Sequence, residues 1–552
     1  MAEAKKIYIR NKRNGVTYIY LDEPYWDKEK QCGRHRRKCI GKLGEDGREE
    51  YNDYYRRTQE ESGGKEILSV SKTVRLGERL ICAKVSKEAG LSRPLVSAFG
   101  KERAGKIESL ACYQMCSSRP FAYAEPWLEE RGLGDGMSSE AVSTLLSSIT
   151  EDEMSAFSKL WLGRNMGKKS ILFDITSVSS YSSIPGVERG HNRDRENLEQ
   201  INLALLSTYD TKVPLMARRL NGSLSDVTVL TGMVETLRKL GVPSFSIMAD
   251  RGFYSDKNLR FLHERKVGFT IPVPSSVLWQ KDLIRESIGK LYRPECLVDR
   301  DGGGDSIVYA RTVYDPSSPY GRVWKHVYYD PVRKERETAR LMGKLNECRE
   351  ELESGDLDER NRPYYEEYFT VKETPKRGRK VRLNDDAVRA FVEGGSCYWV
   401  IVSSVEKDAG RCLRMYRERN NAEVHFDDLK NAIDCGRLRV HNGRTLDGKL
   451  FVSFIALILI SRLRDDLSKI PGKEIRYWNW REVLAYSSSY GKCSFRGKYK
   501  DVYTVPTKGQ RQIFKALGIP YYWRGELVNE VDESEAGNDE KEAEAEAGSS
   551  PS

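Results

Sequence analysis

The chain has 552 residues, 39% hydrophobic and 32% charged; at about 100–200 residues per domain it should hold several domains with real cores. Its longest apolar run, Leu450–Ile460, is too short for the roughly 20 residues that cross a bilayer, so no membrane span is expected and the run reads as a buried helix. The formal charge is +10, yet Glu526–Ser552 carries ten acidic residues and one lysine, a net of −9, which leaves +19 on the rest of the chain and suits a polyanionic partner. The eleven cysteines show no metal-like pairing with histidine. Free thiols in a reducing compartment are the simpler expectation. The first residues, MAEAKKIYIRNKRNG, lack the apolar core of a signal peptide, and a cytoplasmic location is expected.

In chain order, residues 1–70 read as β-rich and basic. KKIYIRNKRNGVTYIYLDEPYW alternates around Asn14-Gly15, a hairpin signal, and the dense basic run Arg34–Gly44 follows. Residues 71–165 read as short helices, with Ser138 or Ser139 as a helix cap; this helical domain behind a basic hairpin reads either as the expected DNA-end-binding domain or as an ordinary helical accessory domain. From Lys168 the texture changes. SILFDITSVSSYS, INLALLSTYD and VPLMARRLNGS read as three successive strands, LSDVTVLTGMVETLRKLG as a helix, and FSIMAD as a buried strand. Three strands, a helix and a strand open an RNase H-like α/β fold. Residues 275–395 differ in character, being rich in tyrosine and charge, and CYWVIVSS then restores a buried strand. The expected architecture is therefore an RNase H-like catalytic domain in two parts, 166–274 and 396–470, split by a β-rich insertion at 275–395. A carboxy-terminal region, 471–525, precedes an acidic tail, 526–552, expected to be disordered and either inert or a brake on non-specific DNA binding.

The chemistry centres on YRERNNAEVHFDDLK, Tyr416 to Lys430. At about 100° per residue on an α-helix, Tyr416, Arg419, Glu423 and Lys430 fall at roughly 0°, 300°, 340° and 320°, a stripe about 60° wide. A carboxylate, two cations and a phenol on one stripe suit a metal ion beside a phosphate backbone. Asp427 faces the same stripe, either as a group supporting the ligands or as a competing ligand, with spacing favouring Glu423, whereas His425 reads as packing or surface. Upstream, Asp174 ends the run ILFD and Asp250 ends FSIMAD. An aspartate at the carboxyl end of a buried strand lies at the sheet rim, where open α/β folds bind ligands. Either aspartate alone is commonly a helix cap or a turn residue. Three converging carboxylates are hard oxygen ligands able to hold divalent cations, and paired metals serve in-line phosphoryl displacement.

These residues resemble a known family, the DDE insertion-sequence transposases of the insertion sequence 4 superfamily. Its helix signature, Tyr-x2-Arg-x3-Glu-x6-Lys, is matched by Tyr416, Arg419, Glu423 and Lys430. Asp250-Arg251-Gly252-Phe253-Tyr254 resembles the segment around the family's second aspartate, and Asp174 resembles the first. The wide gap to Glu423 is similar to the family's β-rich insertion. GHNRDRENLEQINLALL, NGSLSD, Pro24-Tyr25-Trp26 and Arg37-Lys38-Cys39-Ile40-Gly41-Lys42-Leu43 resemble the insertion sequence 1634 subgroup. The resemblance covers roughly 168–465. It implies that Asp174, Asp250 and Glu423 are catalytic and bind two Mg2+ ions, with Mn2+ able to substitute. It implies that Tyr416, Arg419 and Lys430 contact the DNA backbone at the transposon end. Double-stranded DNA is the implied partner, both as terminal inverted repeats and as target, with self-association in the synaptic complex. Trp279, Trp324 and Trp399 are candidates to stack a flipped base, though each reads better as core.

The leading functional expectation is a transposase that cleaves at element ends and joins 3′-OH ends to target DNA. A second is another RNase H-like metal-dependent nuclease or resolvase; a third is a non-catalytic DNA-binding protein derived from a transposase. The long amino-terminal region and the insertion favour the first, because a minimal nuclease needs neither. The intact carboxylate set argues against the third. Inverted repeats flanking the gene discriminate among them.

Overall fold

The computed structural model describes residues 5–27, 32–44, 47–53, 55, 70–117, 119–134, 137–166, 170–180, 184–190, 198–224, 226–300, 307–374, 378–394, 397–432, 437–438, 442–471, 479–495, 500–523 and 525–528. The chain divides into two compact units, Met1–Thr73 with Cys493–Val502, and Val74–Lys492 with Tyr503–Ser552.

The first unit holds a four-stranded antiparallel sheet of β1 (Lys5–Arg10), β2 (Thr17–Asp27), β3 (Cys32–Leu43) and β4 (Glu49–Tyr51), in that order. The chain reverses at the expected turn. Gly15 takes φ 70°, and Asn11 and Val16 close the loop by a backbone bond of 2.9 Å. Positive φ is the reason glycine serves there. Ile19 and Ile40 are its buried centre.

In the second unit, helices come first: Gly77–Ala89, Ser92–Cys116, Ser139–Ser148 and Glu151–Asn165. Ser138 caps the third by accepting from the Ala141 amide, and Thr150 with Glu153 forms a reciprocal capping box on the fourth, satisfying donors that a helix start leaves open. These helices surround the long helix Gly443–Ser468. That helix contains the expected buried run, and it is apolar all round because neighbours cover every side.

The main sheet follows. Its strands are β5 (Ser170–Ser180), β6 (Gln200–Thr208), β7 (Pro214–Asn221), β8 (Ser246–Ala249), β9 (Gly268–Pro272), β10 (Leu297–Arg300), β11 (Ile307–Ser318) and β12 (Gly321–Tyr329). A hairpin of β13 (Phe369–Thr374) and β14 (Gly378–Leu383) stands apart, before β15 (Tyr398–Ser403) and β16 (Arg437–Leu438). The sheet order is β10-β11-β12-β15-β9-β8-β5-β6-β7, with β16 also pairing with β5. β5, β6 and β7 form an antiparallel meander, while β8 runs parallel to β5 and β9 parallel to β8. Leu297–Tyr329, inside the expected insertion, is therefore hydrogen-bonded into the same sheet. Residues 331–394 build their own small core around Leu341, Leu345, Leu352 and Tyr368.

Alternation along β5 sorts its side chains between two faces. Phe173 and Ile175 join the core beneath the helix Asp226–Lys239, while Leu172 meets Met248 and Met415 on the opposite face. Asp174, two residues on from Leu172, shares that second face.

Three expectations need correction. Asp174 does not end its strand: β5 runs on to Ser180, because antiparallel β6 stays paired with it as far as Ser179↔Gln200. Tyr416–Lys430 is not one α-helix. Helix Ala409–Arg417 stops, helix Asn420–Asp427 restarts after a tightened Tyr416–Arg419 turn, and a π turn spans Asp428–Ala432. The tail does not lose order at Glu526, since Glu526–Val528 pairs with Tyr521–Trp523; the rest of the tail, 529–552, lies outside the described residues, as does part of the GHNRDRENLEQ segment.

Candidate active site

Sheet register brings the two aspartates level. Phe173 pairs with Ala249 in the parallel ladder between β5 and β8, so Asp174 and Asp250 are the next residues along two neighbouring strands. β8 ends there, and Asp250 caps the short turn Arg251–Phe253 by accepting from the Arg251 amide at 2.7 Å. Phe253 anchors that turn by packing its ring 4.8 Å from Phe173. Asp174 Oδ1 accepts from the Ile175 amide at 2.9 Å, leaving Oδ2 to face the overlying helices.

Those helices supply Tyr416, Arg419 and Glu423. The Arg419 guanidinium sits among all three carboxylates. Its Nη1 lies 3.0 Å from Asp174 Oδ2 and 4.0 Å from Asp250 Oδ2, and its Nη2 donates to Glu423 Oε1 at 3.2 Å. The Tyr416 hydroxyl donates to Asp250 Oδ1 at 3.3 Å, with the guanidinium 5.7 Å from its ring centre. Burial pushes the Tyr416 phenol up to about 12, helped by the Asp250 charge, so it is a neutral donor at physiological pH. Burial disfavours the charged form of Arg419, but Asp174 and Asp250 outweigh it and hold the guanidinium's pKa above its usual value.

Side chains are 13% exposed at Asp174, 38% at Asp250 and 61% at Glu423, so the cluster opens towards solvent on the Glu423 side. A cavity of about 600 Å³ adjoins it there, lined by Glu423, Val424, Asp427, Asp428, Arg464, Asn479, Trp480 and Arg481. Asp427 therefore shares a cavity wall with Glu423. Lys430 falls on the π turn, half-buried, displaced from its α-helical position by the wider turn. His425 is buried, and its Nε2 donates to the Lys212 carbonyl at 3.0 Å, which makes it a packing residue. Trp399 stacks on Tyr328 at 5.3 Å, Trp324 pairs with Tyr314 at 5.5 Å, and Trp279 carries Lys325 over its ring at 4.6 Å.

One pair was missed in the sequence. Asp428 is buried and ion-paired to Arg464 at 2.9 Å. It ties the end of the Glu423 helix to the long helix Gly443–Ser468. The only sequence signal was the Asp427-Asp428 doublet, which does not reveal which aspartate turns inward.

Among the described residues, no three His, Cys, Asp or Glu side chains stand close enough to hold a metal ion; the carboxylates converge on Arg419 instead. A set of hard oxygen donors closing on one cationic group nonetheless fits a divalent cation in ligand type and charge.

The model of the family described as the transposase DDE domain matches residues 166–459. The chain belongs to this family. It is a DDE transposase. The matched residues begin just before β5 and end inside the long buried helix, so Asp174, Asp250 and Glu423 lie within them. No curated protein matches the chain. Among solved structures it is similar to the cryo-EM structure of a piggyBac transposase synaptic complex with hairpin DNA, at 11% identity and a TM-score of 0.31, over 73% of this chain and 71% of that one.

Proposed function

We propose that this DDE transposase binds the terminal inverted repeats of an insertion sequence, cleaves the DNA strand at each end and joins the freed 3′-OH to target DNA. The observation that carries the reading is the closure of Asp174, Asp250 and Glu423, drawn from three separate elements, on one guanidinium. DDE transposases use divalent metal ions. In this reading Asp174, Asp250 and Glu423 hold two Mg2+ ions, with Mn2+ able to substitute. When bound, the ions supply charge that activates the attacking oxygen and stabilises the leaving one.

The chain's own residues prepare the site. Arg419 holds Asp174 and Glu423 together, and with Mg2+ bound to those carboxylates it would be available to the DNA backbone. Tyr416 keeps Asp250 oriented through a neutral hydroxyl. Lys430 is the second backbone-contacting cation. The order β7-β6-β5-β8-β9, with β5, β8 and β9 parallel, supports the RNase H-like reading of 166–274 and 396–470, interrupted at 275–395. The signature at Tyr416–Lys430 supports membership of the insertion sequence 4 superfamily. The helical region 71–165 is assigned to binding the DNA end. Pairing two ends requires self-association in the synaptic complex, and the cytoplasm is the proposed location. No helix among the described residues is long and apolar enough to cross a membrane.

The test is cleavage of a duplex taken from the gene's own flanks, with Mg2+ and with EDTA. Asp174→Ala, Asp250→Ala and Glu423→Ala should each abolish cleavage while leaving duplex binding intact. Full cleavage by any one of them removes that residue from the metal set. Loss in Asp427→Ala with retention in Glu423→Ala would transfer the third ligand to Asp427.

A further inference from the structure

The sheet of the amino-terminal unit has an unusual distal half. β1 pairs with β2 only over Thr17–Asp22, and β4 pairs with β3 only over Gly41–Leu43. Beyond them β2 and β3 continue as a two-stranded ribbon through five pairs, from Glu23↔Arg36 to Asp27↔Cys32, a length of about 17 Å at about 3.4 Å per residue. Residues 23–26 and 32–38 are exposed on both faces. The ribbon thus buries no core of its own, although isolated two-stranded ribbons are marginal in water.

Register separates its two faces. One carries Asp22, Pro24, Trp26, His35 and Arg37. There Asp22 holds His35 at 2.7 Å and Arg37 at 3.1 Å, so its charge is largely balanced. The other carries Glu23, Tyr25, Arg34, Arg36 and Lys38, with Asp27 on the same side by register, three cations against two carboxylates, and Arg36 packs 5.6 Å from the Tyr25 ring centre. A ribbon needing only solubility has no use for aromatic rings at its surface, yet Trp26 is 65% exposed and Tyr25 40%.

We propose that the β2–β3 ribbon enters the major groove of duplex DNA with the Arg34, Arg36 and Lys38 face towards the base edges. The major groove, about 12 Å wide, admits a two-stranded β-ribbon, and arginine is the commonest specific reader of guanine there. The balanced face, with Trp26, lies outward. This assignment rests on the reading of the protein as a DNA-processing transposase, and adds a groove reader to the 71–165 region.

Fluorescence anisotropy of the full chain on a 40-base-pair duplex from the gene's flanks tests it, with the corresponding single strand as a second probe. The triple variant Arg34→Gln, Arg36→Gln, Lys38→Gln should bind the duplex at least about tenfold more weakly. Its preference for the flank duplex over a 40-base-pair duplex of scrambled sequence should fall by at least about tenfold, because base-edge contacts, unlike phosphate contacts, carry sequence preference. Glu23→Gln, on the same face, should tighten binding, a gain that misfolding cannot imitate. Methyl green, a major-groove ligand, should compete with the protein, and netropsin in the minor groove should not.

Unchanged affinity and unchanged sequence preference in the triple variant, or competition by netropsin alone, overturns the ribbon's role. So does an equal loss on single strand and duplex. In each of those outcomes wild-type cleavage of the flank duplex still stands and the transposase reading survives. If the wild type neither binds nor cleaves that duplex, both readings fall.

Discussion

At the scale of single residues, the decisive feature is a cation already seated among three carboxylates. Arg419 is 12% exposed and Asp174 13%, so their pairing is shielded from water. Removing one partner leaves a poorly solvated charge, at a cost approaching the roughly 3–5 kcal/mol of a buried pair; Glu423, largely exposed, adds little. Arg419→Gln should therefore lower the melting temperature of the metal-free protein. Mg2+ should then raise that temperature more in the variant than in the wild type, because no guanidinium has to be displaced. Equal Mg2+ shifts in the two proteins would show that Arg419 does not compete for the seat. The four-residue signature was legible in the sequence, and so were the two aspartates. Their engagement with Arg419 was not, because a spacing along one helix says nothing of which side chain points inward from the sheet.

At the scale of elements, two features set the catalytic framework. The long helix Gly443–Ser468 crosses Ser139–Ser148 so closely that a Cβ at Gly448 would lie 2.0 Å from the Leu146 carbonyl oxygen. Backbone cannot yield as a flexible side chain does, so Gly448→Ala should destabilise the protein by about 1–3 kcal/mol in urea denaturation. On β12, His326 is fully buried, with Nδ1 2.9 Å from the Thr312 hydroxyl and Nε2 donating to the Glu406 carbonyl at 3.0 Å. Burial holds its pKa below the usual histidine value, so the fold favours the neutral ring. That contribution is complete above about pH 6.5, where the unfolded histidine is also neutral, and is lost as pH falls towards the lowered folded value. Melting curves between pH 7 and pH 5 should show a steeper loss of stability in the wild type than in His326→Gln. Element types were largely legible from apolar periodicity and caps. The breaks at Arg417–Asn420 and Asp428–Ala432 were not, since the second turns on a buried ion pair with Arg464, 36 residues away.

At the scale of the whole molecule, charge and topology act together. The +19 carried outside the acidic tail should make duplex binding strongly salt-dependent, with a log–log slope near −4 or steeper if about five phosphates are engaged. A slope near zero in an anisotropy titration from 50 to 300 mM salt would remove the electrostatic basis for the DNA partner. By itself, the sequence determined the kind of chemistry: carboxylates at the ends of apolar runs, a helix signature, a basic body and a long stretch of different texture before the last acid. These are local patterns of residue type, set by propensity and spacing. Only the tertiary structure decided which residues meet. Parallel pairing of β5 with β8 sets Asp174 level with Asp250, the strands at Leu297–Tyr329 continue the sheet that bears them, and the broken helix lowers Arg419 into their midst. Such contacts join residues as far apart as 245 positions, and strand register and buried ion pairs, which no single segment encodes, fix them.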